Sequence, residues 1–164
     1  MKRRLLPAIF VAALVGIAAT FALSSPAGAA GMSVTVGSPI QVANRLLVTV
    51  PVNVVCDALD GTPIADNVSV QIEQVNGKSV SSGQATLSGG PASPTRGDTF
   101  LTCDGTTVNT LNVKIVGSGP FHGGGAIVSA SASHAVGSCT FFCTTSESES
   151  ASPGPTPVNL RGGG

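Results

Sequence analysis

Leu46-Leu47-Val48-Thr49-Val50-Pro51-Val52-Asn53-Val54-Val55-Cys56 decides the fold. Leu46, Val48, Val50, Val52, Val54 and Cys56 take every second position, and Thr49, Pro51 and Asn53 fall between them. Successive side chains of a strand point to opposite faces, so this stretch packs one face and wets the other. The same period recurs in Val68, Val70 and Ile72, in Leu111, Val113 and Ile115, and in Ala126, Val128, Ala130 and Ala132. No segment beyond residue 29 has a capped helical period. Pro51 lacks an N–H for the ladder, which predicts an edge position or a bulge for its strand.

Turn chemistry divides these runs. Asn76-Gly77 between two strand-like runs predicts a hairpin, because both residues accept positive φ. Ala43-Asn44 and the glycine-rich 117–125 connection mark two further turns. The predicted strands are A over 33–42 (broken near Pro39), B over 45–56, C over 67–75, D over 78–88, E over 107–116, F over 126–134 and G over 157–161. About seven short strands with regular turns predict an all-β, immunoglobulin-like antiparallel β-sandwich.

The first 29 residues read as an export signal. Lys2-Arg3-Arg4 precedes an apolar run from Leu5 to Leu23, and Ala27-Gly28-Ala29 supplies a small-residue cleavage site. The long apolar run favours the general secretory route over twin-arginine export. Residues 30–164 are then a single secreted domain, which predicts an extracellular location. That part holds five basic residues against eight acidic ones, a net charge of −3. With no basic patch, nucleic acid is not an expected partner. No later apolar run approaches membrane-spanning length, so no membrane association is expected after cleavage, and the domain is expected to be a monomer.

Cys56, Cys103, Cys139 and Cys143 in an oxidising compartment predict two disulfides. Strands B and E are antiparallel neighbours in such a sandwich, which sets Cys56 beside Cys103. Cys139 and Cys143 remain as a pair and need a tight turn between them, since four extended residues would hold them about 13 Å apart. Sequence alone leaves the other two pairings open. With B running upward, the loops 57–66, 89–106 and 135–156 all gather at the upper pole with both bridges. A rigid sandwich with stapled loops at one end has the anatomy of a binding scaffold.

Phe141 and Phe142, adjacent inside the second cystine loop, are the candidate binding residues. One ring is expected to pack inward and one outward, or both to cap the open end of the sandwich. No enzyme constellation is present, and neither a cofactor nor a metal is expected. His122 and His134 fall at opposite poles and read as solvated. Asp57, Asp60 and Asp66 lack the spacing of a calcium loop and read as turn formers. Asp104-Gly105 reads as a turn into strand E. The acidic and proline-rich 146–156 run is expected to be a flexible, solvated loop.

The strand ending in Cys56, Val68-Ser69-Val70-Gln71-Ile72, Phe100-Leu101-Thr102-Cys103-Asp104-Gly105-Thr106, Pro120-Phe121-His122-Gly123-Gly124, the second cysteine pair and Val158-Asn159-Leu160 together resemble small, uncharacterised exported proteins of actinobacteria. The resemblance covers nearly all of the mature chain and implies no activity. In architecture the chain is also loosely similar to neocarzinostatin-type apoproteins, exported two-disulfide sandwiches with a ligand cleft; here the cysteine spacing differs and Trp is missing. The functional expectation is a non-catalytic module that binds an extracellular ligand or protein through the loops 57–66, 89–106 and 135–145. The alternatives are a structural or surface-associated spacer and a secreted protease inhibitor presenting 89–106 or 139–143.

Overall fold

The computed structural model describes residues 31–90 and 99–162, and every regular element among them is a β-strand. In chain order these are β1 (Ser33–Val36), β2 (Ile40–Val42), β3 (Leu47–Val55), β4 (Thr62–Asn76), β5 (Ser79–Gly89), β6 (Asn109–Val116), β7 (Gly124–Cys139), β8 (Cys143–Ala151) and β9 (Thr156–Gly162). The expected all-β sandwich is therefore found, with nine strands where about seven were predicted. The export signal over 1–29 and the segment 91–98 lie outside the described residues. Among the described residues, no helix is long and apolar enough to cross a membrane.

The decisive stretch forms β3, the centre of one layer, with β1 antiparallel on one side and β6 on the other. In the second layer β5 pairs β4 and β4 pairs β7, all antiparallel. β8 and β9 follow one another down the free side of β7, β8 along its second half and β9 along its first. β2 fastens the layers together, antiparallel to β3 and parallel to β9. At the opposite side β5 meets the end of β6 at a Gly83–Gly117 bridge, flanked by a bond from the Ser118 amide to the Ser82 carbonyl at 2.7 Å. A Cβ on Gly83 would stand 2.6 Å from Ile115 Cγ2, so this close crossing depends on glycine.

Two expectations are corrected and one is found. Pro51 is on a central strand, not an edge. Its carbonyl accepts the Gly37 amide at 2.8 Å, so the N–H that proline lacks would face the break between β1 and β2, where no ladder partner is lost. The hairpin predicted at Asn76-Gly77 is found: the strand predicted over 78–88 is β5, antiparallel beside β4. Its turn is too short to cross the roughly 10 Å between packed sheets: Asn76 pairs Ser79 directly, and Gly77 takes φ 61°. The run predicted as a solvated loop over 146–156 is strand through Ala151, because its amides and carbonyls pair with β7 even though its side chains are polar.

The inner face carries Val48, Val50, Val52 and Val54 from β3, Val68, Val70 and Ile72 from β4, and Val113 and Ile115 from β6, all completely buried. Each such side chain contributes roughly 1.5–3 kcal/mol. Phe121, 1 % exposed, is the largest of the fully buried side chains. At this lower end buried Gln74 closes the glycine-rich connection. Its Nε2 donates to the His122 carbonyl at 2.8 Å, and its Oε1 accepts the His122 amide at 2.9 Å. His122 itself is exposed, as expected.

Candidate functional site

The opposite end of the sandwich carries both disulfides. Cys56, one residue beyond β3, is bonded to Cys103, and Cys139 at the end of β7 is bonded to Cys143 at the start of β8. Both expected pairings are found, and among the described residues no cysteine is free. The second bridge encloses only Thr140, Phe141 and Phe142, so it staples the tip of a long hairpin. Cα atoms that an extended chain would hold about 13 Å apart are 4.1 Å apart.

Neither ring of that tip packs inward. Phe141 is 97 % exposed and Phe142 85 %, which corrects both expectations for them. The reason lies in the ladder: β7 and β8 stay paired out to Cys139 and Cys143, whereas β4 leaves β7 at Gly137. The tip therefore stands beyond the core. Two of the loops around it are shorter than predicted, because β4 starts at Thr62 and β8 occupies much of 135–156.

Beneath the tip lies a row of charged side chains that the sequence reading placed in water. Asp66 of β4, His134 of β7 and Glu149 of β8 are register partners across three strands, and are 2 %, 2 % and 3 % exposed. His134 is not solvated, and Asp66 does not form a turn. Asp66 Oδ2 accepts the amides of Phe100 at 2.6 Å and Leu101 at 2.8 Å, and its Oδ1 lies 2.7 Å from His134 Nδ1. The two groups share one hydrogen across that contact. One carboxylate thus ties β4, β7 and the segment bearing Cys103. The signal available in the sequence was parity: Asp66 is in phase with Val68, Val70 and Ile72, and His134 with Ala126, Val128, Ala130 and Ala132.

Glu149 is the single buried side chain of β8. Neither of its carboxyl oxygens has a hydrogen-bond partner among the described residues. Burial pushes its pKa up from the ordinary 4.5; the dipole of the Asp57 amide, too far for a hydrogen bond, and His134 counter this only in part, and the Asp57 carboxyl adds slightly to the rise. Its carboxyl and the two sulfurs of Cys56 and Cys103 lie within 4.8 Å of one another.

The segment bearing Cys103 is shaped by further side chains. Asp104 accepts from the amides of Thr106 at 2.8 Å and Thr107 at 2.6 Å, and from the Thr107 hydroxyl at 2.6 Å. The Thr107 hydroxyl and amide, with the Thr106 amide, hold its carboxyl well below the usual range. Asn109 Nδ2 donates to the Thr102 carbonyl at 2.9 Å while its Oδ1 accepts the Thr102 amide at 2.8 Å. The Gly105 amide donates to the Cys56 carbonyl at 2.8 Å. The predicted turn at Asp104-Gly105 is therefore found, with Gly105 at φ 78°.

No protein-family model, curated protein or solved structure matches this chain.

Proposed function

We propose that this is a secreted, non-catalytic recognition module that engages an extracellular protein or ligand through the stapled tip at Phe141 and Phe142. The observation that carries the reading is the pair of almost fully exposed rings on a hairpin fixed by a disulfide. Aromatic side chains held in water have no folding role at that position, and an ordered anchor loses little entropy on binding. Two disulfides fit an oxidising setting such as the cell exterior.

Magnitudes define what the tip can contribute. Burying two Phe side chains gains roughly 3–6 kcal/mol, and association costs about 4–15 kcal/mol. The tip is thus an anchor, and the segments 56–61 and 99–108 beside it supply the remaining contacts.

The test compares the oxidised wild-type domain with a Phe141→Ser/Phe142→Ser double variant as immobilised baits in conditioned culture medium and in cell-wall extracts. A species retained by the wild type and lost by the variant, at unchanged melting temperature, is the expected result. Identical retention by both baits would refute the reading.

A further inference from the structure

The Cys56–Cys103 bridge is asymmetric. Cys56 is completely buried, whereas Cys103 is partly exposed on the segment that crosses the rim. A thiolate from solvent therefore approaches the bridge from the Cys103 side, and access governs which sulfur is attacked. The departing sulfur is then Cys56, released among the valines of the inner face. Apolar surroundings raise a thiol's pKa, and such a thiolate leaves slowly unless it is protonated. The carboxyl of Glu149 lies within 4.8 Å of this sulfur, 3 % exposed and with neither oxygen partnered among the described residues. A valine or alanine at the one inward position of β8 would pack there without that cost.

We propose that Cys56–Cys103 is an exchangeable disulfide, opened by thiolate attack on Cys103 Sγ, with Glu149 donating the proton that neutralises the departing Cys56 thiolate. The reductant is a dithiol. Its first sulfur bonds to Cys103 Sγ as the Cys56–Cys103 bond breaks. The electron pair leaves on Cys56 Sγ, which takes the Glu149 proton. The second thiol of the reductant, as its thiolate, then displaces Cys103 from the mixed disulfide. Cys103 is protonated from solvent, Glu149 regains a proton from water, and the reductant departs as a cyclic disulfide. Two electrons pass to the protein, and the product is two thiols. Glu149 lies within 4.8 Å of both sulfurs, a gap closed by rotation about its side-chain bonds as the sulfurs part.

The rim survives this opening because the bridge is not its sole fastening. Asp66 still holds the Phe100 and Leu101 amides, Asn109 holds Thr102, and the Gly105 amide holds the Cys56 carbonyl.

The experiment treats the folded, oxidised chain with dithiothreitol across pH 6–9, quenches by alkylation and maps the modified cysteines by peptide mass. Glutathione in place of the dithiol traps the mixed disulfide. Opening of Cys56–Cys103 at a rate proportional to thiolate is expected, with glutathione attached at Cys103. Glu149→Gln should slow opening roughly a hundredfold while the unfolding rate in denaturant changes far less. In the wild type, the rate per thiolate should fall as Glu149 ionises, a break absent from Glu149→Gln. The other titratable groups packed against this carboxyl are Asp57 and His134, with Asp66 beyond them; they remain in both proteins. Four results would each overturn the proposal: a rate independent of thiol concentration, glutathione on Cys56, an unchanged rate in Glu149→Gln, or a slowing matched by an equal fall in the unfolding rate.

Discussion

At the scale of single residues, the inner row of Asp66, His134 and Glu149 makes the sharpest predictions. Asp66→Ala strands two amides and an imidazole nitrogen in a dry setting. It should cost about 2–4 kcal/mol, read as a lower denaturation midpoint, with hydrogen exchange rising first at Phe100 and Leu101. Glu149 should act in the opposite sense. Its folded pKa lies above the ordinary 4.5, so between those values the folded state holds more protons than the unfolded chain. Its contribution is then most favourable in acid and declines as pH rises past 4.5. The stability of Glu149→Gln relative to wild type should therefore climb as pH rises above 4.5; a flat difference in parallel denaturation curves would contradict this. This row was the least legible part of the sequence. Charged side chains are normally solvated, and composition argued for water where strand parity argued for the core. Parity won because the bonds to Phe100, Leu101 and His134 compensate the buried Asp66 carboxylate.

Among the elements, the β7–β8 hairpin is the one on which the proposed recognition rests. Its staple closes a five-residue loop, so Cys139→Ser/Cys143→Ser should lower stability by only about 2 kcal/mol. Cys56→Ser/Cys103→Ser opens a far longer loop, with a separation of 47 residues, and should cost about 4 kcal/mol. Equilibrium denaturation of the two double variants tests that order. β3 was readable because every second residue from Val48 to Cys56 is apolar. β8 was not: Ser146-Glu147-Ser148-Glu149-Ser150 offers no apolar face, and pairing with β7 is a property of backbone groups that composition does not record. The placement of β5 beside β4 was legible in Asn76-Gly77, since so short a turn confines its two strands to one sheet.

In the molecule as a whole, the two layers are fastened unequally. β2 pairs with strands of both layers, whereas on the other side, among the described residues, β5 and β6 are joined by an isolated glycine bridge and the bonds of Ser81 and Ser82 beside it. Ile40, 1 % exposed, is the apolar anchor of that fastening. Ile40→Ala should cost about 2–5 kcal/mol and lower the midpoint of one cooperative transition, monitored by circular dichroism and by hydrogen exchange at Leu160. The sandwich class, the pairing of the cysteines and the end at which they gather were all legible, because each follows from period-two runs and strand direction. The exposure of both tip rings was not, since it depends on how far β7 and β8 outrun β4.

That overhang makes the chain a natural frame for peptide display. The three residues between Cys139 and Cys143 belong to no core, and the ladder below them sets their register without their help. Foreign sequence exchanged into this position would be held in a closed ring at the end of a stiff two-stranded stalk, leaving the valine interior untouched.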